Sequence, residues 1–248
     1  MKRIVQGTMN SFLHTTLGHG LLKAFLLSSR YRIFSSRTVH AMEFDLLRAK
    51  ARKSMRKAMT VPASPRLHVG CGSRKVKGWL NVDITGSDQD IDLAAGFLPW
   101  KDAAFEAVAS QHVIEHLELM TELFPLMREL RRVCKNGAEI WLSCPDLEKV
   151  CASYSIDRAK GLLEDRDRHR DADAGMDGIP TQHYINLLMT QRGEHKNLLD
   201  FEMMQWLLGE NGFSECQRVG EKDFLARFPE FPQRSDDSQT LYVCAVAN

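Results

Sequence analysis

The sequence predicts an α/β domain built around a mostly parallel β-sheet, and three observations support this fold class. A short apolar run over residues 67–69 breaks into Gly70-Cys71-Gly72. Soon afterwards a second apolar run begins at Trp79 and ends in Asp83. Further apolar runs then alternate with a helix that carries a single apolar stripe, an order typical of parallel sheets.

The glycines and the acidic residue together predict a ligand crevice at the carboxyl edge of the sheet. Glycine lets the backbone approach a ligand where a side chain would block it. A carboxylate at the tip of the neighbouring strand is suited to accept hydrogen bonds from two ribose hydroxyls. A bare Gly-x-Gly is more often an ordinary turn, and Lys75 stands where the full G-x-G-x-x-G motif has its third glycine. The two features combined favour a nucleoside-binding crevice.

The remaining elements follow in chain order. Residues 90–93 end a third strand, residues 105–110 form a fourth and residues 138–143 form a fifth. Before the fifth strand, apolar side chains recur at steps of four and three and predict a helix that packs on the sheet, ended by Lys135-Asn136-Gly137. The apolar positions of this helix are Leu119, Leu123, Leu126, Leu130 and Val133.

The last hundred residues predict an insert followed by the end of the sheet. Residues 150–198 are poorly patterned and charged, above all over residues 164–171, which predicts a solvated helix or a mobile loop. Asp200 is suited to be the N-cap of a helix over residues 201–210. Residues 213–219 and 240–246 have the composition of a final pair of strands.

This order of motifs resembles the class I S-adenosylmethionine-dependent methyltransferases, and more closely their compact type 11-like branch. The resemblance covers residues 66–150 well and residues 195–246 loosely, and it does not cover the first sixty residues. No single motif is specific, but the joint pattern is. The motifs that carry it are Gly70-Cys71-Gly72, Trp79-Leu80-Asn81-Val82-Asp83, Asp90-Ile91-Asp92-Leu93, Leu98-Pro99-Trp100, His112-Val113-Ile114-Glu115-His116-Leu117, Arg128-Glu129-Leu130-Arg131-Arg132-Val133 and Lys135-Asn136-Gly137.

The resemblance implies a Rossmann-like, seven-stranded, mostly parallel sheet with an antiparallel last strand inserted beside the fifth. It divides the chain into a basic helical extension over residues 1–62 and a methyltransferase domain over residues 63–248, with an acceptor-side insert over about 150–198. It implies S-adenosyl-L-methionine as the cofactor and methyl transfer by an SN2 step as the activity. The cofactor-binding residues that it implies are Val69, Gly70, Cys71, Gly72, Asp83, Ile84, Asp92, Leu93 and His112.

The string from His112 to His116 has several interpretations. H-x-x-E-H matches an inverzincin zinc signature, but that motif needs a long active-site helix, whereas this string directly follows a strand. In the resembled enzymes the first residue contacts the methionine end of the cofactor, and the Glu and His buttress the crevice or face the acceptor. Some relatives that methylate RNA or quinol precursors hold a divalent ion here. Because His112 replaces their carboxylate, we expect no metal and an activity that survives a chelator.

If the methyl acceptor is a hydroxyl, a general base should lie within about 3 Å of it. The predicted catalytic residues are His112, His116 and His183, and His195 is a further candidate; a structural or surface role is the alternative for each. Members of this branch are associated with saccharide or lipid-linked glycan modification, which favours O-methylation of a saccharide, a glycolipid precursor or a small metabolite. A metal-assisted RNA 3′-end methyltransferase and a cofactor-binding scaffold without activity remain as alternatives.

Two positions depart from the family pattern. His68 stands where many members carry an acid that orients the methionine amino group, and Arg74 stands where a third glycine is common. Arg74 could serve the cofactor carboxylate, and an exposed loop arginine is the alternative. Gly70 and Gly72 still supply the backbone approach, so cofactor binding remains the expectation.

The N-terminal segment is basic. The chain has 248 residues and a net charge of +1, but residues 1–66 contain thirteen Lys or Arg and only Glu43 and Asp45 as acids. Apolar residues recur at roughly helical spacing over residues 12–26. Helices that cap the core with a solvated basic face are one interpretation. A surface for anionic membrane or an acidic substrate, formed by residues 1–60, is another, and an organellar transit peptide is a third.

Composition limits the partners and the compartment. The chain lacks the aromatic interleaving of a single-strand binding platform, so no nucleic acid partner is expected. The six cysteines are scattered and form no C-x-x-C pair, which predicts free thiols in a reducing, cytoplasmic compartment. No apolar run is long enough to span a bilayer.

Overall fold

The computed structural model describes residues 35–169 and 178–248. Seven strands form one sheet in the order β3-β2-β1-β4-β5-β7-β6. The first five strands in sequence pair in parallel, and β7 lies antiparallel between β5 and β6. This confirms the predicted fold class. The strands are β1 Arg66–Val69, β2 Leu80–Asp83, β3 Gln89–Asp90, β4 Phe105–Gln111, β5 Cys134–Pro145, β6 Phe213–Val219 and β7 Thr240–Ala247.

The central strands read as continuous apolar runs because both faces of the sheet are covered. Val69, Val108 and Ile140 belong to a large core on one face. Ala107 and Trp141 belong to a second, aromatic-rich core on the opposite face. The α-helices of the described residues are α1 Ser36–Met55, α2 Phe124–Val133, α3 Leu147–Asp157, α4 Lys160–His169, α5 Gln182–Thr190, α6 Phe201–Glu210 and α7 Glu221–Arg227.

The helix predicted between the fourth and fifth strands begins later than its apolar stripe does. Ile114–His116 is a short 3₁₀ turn and Leu119–Leu123 a π-helical turn, and α2 begins only at Phe124. Pro125 stands in the first turn of α2, where its missing N–H is tolerated, whereas further inside a continuous helix it would remove a hydrogen bond. The stripe itself is confirmed, since Leu126, Leu130 and Val133 are buried.

The helix α1 covers the β3 edge of the sheet. Ala51 and Met55 are fully buried in the contact. The side chains of Arg48 and Arg52 reach Asp92, with Nε–Oδ2 distances of 3.2 Å and 2.7 Å. Part of the basic face is therefore used inside the protein. The predicted apolar repeat over residues 12–26 lies outside the described residues.

The insert has a small core of its own. Val150, Leu162 and Tyr184 pack together from α3, α4 and α5. The charged stretch that begins at residue 164 is the second half of α4, and residues 170–177 lie outside the described part of the chain. None of the described helices combines the length and the apolar character needed to cross a bilayer.

Candidate functional site: a cavity beside a glycine loop

The glycine loop lies at the carboxyl end of β1. Gly70 and Gly72 have φ values of +67° and +52°, a left-handed conformation that favours glycine. The N–H of Gly70 donates to the carbonyl of Val82 on the neighbouring strand at 2.8 Å. A Cβ on Gly70 would approach Val113 Cγ1 to 2.9 Å and Cγ2 more closely still. The loop is therefore a tight, backbone-lined turn pressed against the segment that follows β4.

Asp83 lies beside this loop, as the sequence predicted. Its Oδ2 accepts a hydrogen bond from the N–H of Gly72 at 2.7 Å, and its Oδ1 accepts one from Ile84 at 2.6 Å. The strand order reverses between β1 and β4, so the loops that follow these two strands open a crevice at the switch point. A carboxylate at this edge is placed to meet a ribose, and that role remains a prediction.

Asp92 has a structural partner that the sequence did not reveal. Its Oδ1 accepts a hydrogen bond from the N–H of Ala94 at 3.1 Å, and its Oδ2 faces the two arginines of α1. Asp92 is almost completely buried. The structure therefore shows that Asp92 anchors α1, and the contact of Asp92 and Leu93 with the adenine remains a prediction.

A cavity of about 630 Å³ opens between the glycine loop and the insert. Gly70, Cys71 and Gly72 form one wall, whereas Val69, Asp83, Ile84, Asp92 and Leu93 are not part of its lining. His112 and His116 line it, as does His195. On α5 the lining residues are Tyr184, Leu187 and Leu188, and the predicted catalytic residue His183 is not among them. Polar and charged side chains make up much of the opposite wall, namely Gln111, His112, Glu115, His116, Glu194, His195, Arg234 and Gln239.

His112 directs both ring nitrogens at carboxylates. Nε2 lies 3.1 Å from Asp236 Oδ2, and Nδ1 lies 3.3 Å from Glu115 Oε1. Burial by itself would lower the pKa of His112, but the hydrogen bonds to Asp236 and Glu115 prevail and raise it. A ring with both nitrogens facing carboxylates is a poor general base. The geometry therefore favours a positioning role for this predicted catalytic residue.

Asp236 is the centre of a buried network that the sequence analysis missed. Its Oδ1 accepts a hydrogen bond from the hydroxyl of Tyr242 at 2.8 Å, and its Oδ2 accepts one from Arg234 Nε at 3.0 Å. Burial would raise the pKa of Asp236, but the contact with His112 holds it far below its usual value. The buried Glu221 carboxylate accepts hydrogen bonds from the backbone N–H groups of Arg234 and Ser235 and so fixes this loop. No local motif marks these residues.

His68 is turned away from the solvent. Its Nδ1 lies 3.0 Å from Asn81 Oδ1, and its ring meets Phe231 edge to face at 4.9 Å between centroids. Burial lowers its pKa, so the ring is neutral at pH 7. His68 thus joins the core where many family members carry an acid.

The strand order, the glycine loop after β1 and the carboxylate after β2 define the class I methyltransferase fold. The family comparison agrees with the architecture. Residues 67–142, less than half of the chain, match the Methyltransf_11 model, described as a methyltransferase domain. No curated protein sequence matches the chain significantly.

Two of the solved structures similar to the chain are methyltransferases of low sequence identity. The Haemonchus contortus phosphoethanolamine N-methyltransferase 2 in complex with S-adenosyl-L-methionine is 11% identical, with a TM-score of 0.41 over 80% of this chain and 52% of that one. The chain thus spans about half the length of that enzyme. A SAM-dependent methyltransferase from Archaeoglobus fulgidus is 14% identical, with a TM-score of 0.44 over 90% of this chain and 99% of that one.

Proposed function

We propose that the domain transfers the methyl group of S-adenosylmethionine to a hydroxyl group of a small polar acceptor: a saccharide, a glycolipid precursor or a small metabolite. The observation that supports this most is the cavity of about 630 Å³ that meets the glycine loop on one side and a polar wall on the other. Its volume falls in the range of small-molecule sites. The chain of an RNA would need a longer, open groove.

The main task of the protein in this reaction is to align the acceptor with the methyl group of the cofactor. The cofactor supplies a methyl group on a sulfonium, and the acceptor oxygen attacks it in line while the S–C bond breaks. The hydroxyl proton must leave as the new bond forms. Since His112 faces two carboxylates, we assign the handling of the acceptor oxygen to the neighbouring group of Glu115, His116 and His195, which also lines the cavity.

The insert supplies the other side of the acceptor site. The hydroxyl of Tyr184 donates a hydrogen bond to Gln239 Oε1, which joins α5 to the loop before β7. Leu187 and Leu188 of the same helix line the cavity with apolar surface. A wall that is polar on one side and apolar on the other suits a sugar ring or a metabolite of mixed character and excludes water from the reacting atoms.

Residues 36–55 are proposed to cap the domain, with membrane contact by residues 1–60 as the alternative. The buried Met55 and the two arginines paired with Asp92 support the cap. We further propose a reducing, cytoplasmic location, which the absence of any disulfide among the described cysteines supports.

A methyl-transfer assay with isotopically labelled cofactor tests this function. Pools of saccharides, glycolipid precursors and hydroxylated metabolites are offered beside RNA oligonucleotides, and the labelled product is identified by mass spectrometry. We expect label in the small-molecule pools. Leu187→Trp fills the cavity and should abolish transfer without weakening cofactor binding, whereas Asn186→Trp, at an exposed position of the same helix, should not. Label confined to RNA, or absent from every pool, contradicts the proposal.

A further inference from the structure

We infer that Glu115, His116 and His195 form a binding site for a divalent transition-metal cation in the wall of the acceptor cavity. One ligand atom from each of the three side chains lies within 4.8 Å of the other two. All three residues line the cavity. Two imidazoles and one carboxylate converging at an accessible wall are the donor set of open metal sites in proteins.

Several polar atoms of this cluster have few partners within the described residues. Glu115 is 1% exposed, and apart from the contact between Oε1 and His112 its carboxylate oxygens accept no hydrogen bond there. His112 Nδ1 lies 3.3 Å from Oε1 and offsets part of the charge, but Oε2 is left without a compensating group. Nδ1 of His195 is likewise buried without a hydrogen-bond partner in this part of the chain. Such groups are costly to bury, and a cation coordinated between them removes the cost.

The backbone holds the cluster in place. The N–H groups of Lys196 and Asn197 both donate to the carbonyl of Glu115, at 2.8 Å and 3.2 Å. The Asn197 side chain donates to the carbonyl of Leu117, and Lys196 Nζ pairs with Glu122 at 2.6 Å. These contacts bring the segment that carries His195 against the turn that carries Glu115, although the two are far apart in sequence. The site is thus preorganised by hydrogen bonds outside the ligands themselves.

The ring of His195 is in contact with the backbone of its own segment. It makes a polar contact with the backbone of Met189. A histidine ligand commonly donates its second ring N–H to a backbone carbonyl in this way. The His116 ring lies edge to face against the His195 ring, with centroids 4.8 Å apart.

The donor set selects the kind of ion. Imidazole nitrogen suits zinc, copper, iron and nickel, whereas magnesium, calcium and manganese prefer oxygen ligands. Three protein ligands leave coordination positions open toward the cavity. The role of these open positions rests on the proposed function, because the hydroxyl oxygen of the acceptor would occupy one of the open coordination positions of the metal. It also replaces the sequence-based expectation of no metal, which considered His112 and could not place His195.

Cobalt(II) is the probe for this site, because its visible spectrum reports coordination by nitrogen and oxygen. The full-length chain is stripped with a chelator, dialysed and titrated with cobalt(II), while calorimetry counts the sites. We expect one ion per chain and a ligand-field spectrum. Glu115→Gln and His195→Ala should each weaken binding at least tenfold, roughly the factor that even outer-shell changes produce. His40→Ala, at an exposed position of α1, is the matched control and should bind as the wild type does.

The outcomes separate the metal site from the proposed reaction. One-site binding that is lost in the two variants supports the site even if no acceptor is methylated. Methyl transfer by a chain that binds no cobalt(II) overturns the site and leaves the proposed function standing. Binding that both variants retain identifies an adventitious surface site and also overturns the inference. If His195→Ala fails to fold, Glu115→Gln, which preserves the shape of the side chain, provides the test. Cobalt(II) should then raise the Tm of the wild type and leave the Tm of Glu115→Gln unchanged; an equal rise in both proteins overturns the inference.

Discussion

Replacing Gly70 with alanine should destabilise the fold more than the same change at Gly72. At both positions φ is positive, so both variants carry the strain of a left-handed alanine. At Gly70 the added Cβ also meets Val113 within 3.0 Å, whereas at Gly72 nothing lies within 4 Å of it. Val113 is β-branched and has little rotamer freedom with which to move aside. The comparison therefore isolates the steric contact between the glycine loop and the segment after β4.

The magnitudes follow from these two contributions. Left-handed strain costs about 1–2 kcal/mol for a non-glycine residue. Forcing a methyl group into a packed contact costs roughly another 1–3 kcal/mol. Gly72→Ala should thus lower the free energy of unfolding by about 1–2 kcal/mol and Gly70→Ala by about 2–5 kcal/mol. Urea denaturation of both variants beside the wild type measures the difference.

A second substitution checks the cause. Val113→Ala removes the two methyl groups that Gly70→Ala would strike, so the double variant should recover part of the loss. If Gly70→Ala is no more damaging than Gly72→Ala, or if Val113→Ala brings no recovery, Val113 does not cover the glycine loop and the wall of the cavity is misplaced.

Further predictions concern the core and the helical cap. Glu129 accepts hydrogen bonds from Arg132, which lower its pKa, and from the N–H of Leu98. Glu129→Gln should therefore cost about 1–3 kcal/mol at pH 7. Because the pKa of Glu129 is lower in the folded than in the unfolded protein, its stabilisation is present above the unfolded pKa and is lost as the pH falls through the folded pKa. The free energies of unfolding of the two proteins, measured with urea, should therefore converge below about pH 4. A difference between them that stays constant with pH would contradict this. Met55→Ala should cost about 2–5 kcal/mol by thermal or urea unfolding, and Met59→Ala, 77% exposed, less than about 0.5 kcal/mol; equal effects would mean that α1 is no cap.

The sheet was predictable because its signals are local. The apolar runs around Val69, Val82 and Val108 are long enough to identify buried strands, and Gly70 and Asp83 mark where two of them end. The order of the strands is not written in any of these runs. The resemblance to a known family supplied one part of it, the antiparallel last strand beside the fifth, and the observed pairing of β5 with β7 confirms that part.

The contacts that complete the site join distant parts of the chain, and for that reason the sequence did not reveal them. Asp236 reaches His112 only because β7 returns beside β5 and brings the preceding loop over the carboxyl edge. His195 reaches Glu115 through backbone hydrogen bonds that depend on no particular side chain. Weak periodicity in the insert also concealed the phase of α5, which turns Tyr184 toward the cavity in place of His183.

The basic face of α1 shows a different limit of prediction from sequence. The cluster of Lys and Arg over this helix suggested a solvated or membrane-facing surface. The structure uses Arg48 and Arg52 to neutralise Asp92, a carboxylate buried at the edge of the sheet. Composition gives the charge of a segment but not the location of its counter-charges, and those follow only from the packing of α1 against β3.

Calorimetric titration of the full-length chain with S-adenosylmethionine and S-adenosylhomocysteine tests the central claim most directly. We expect one site for each ligand and no comparable heat with NAD. Asp83→Ala removes the carboxylate beside the glycine loop. The binding free energy of both ligands should become less favourable by about 2–3 kcal/mol, the contribution of hydrogen bonds to a charged group. Absence of binding by either ligand, or undiminished affinity in Asp83→Ala, would contradict the assignment of the crevice to this cofactor.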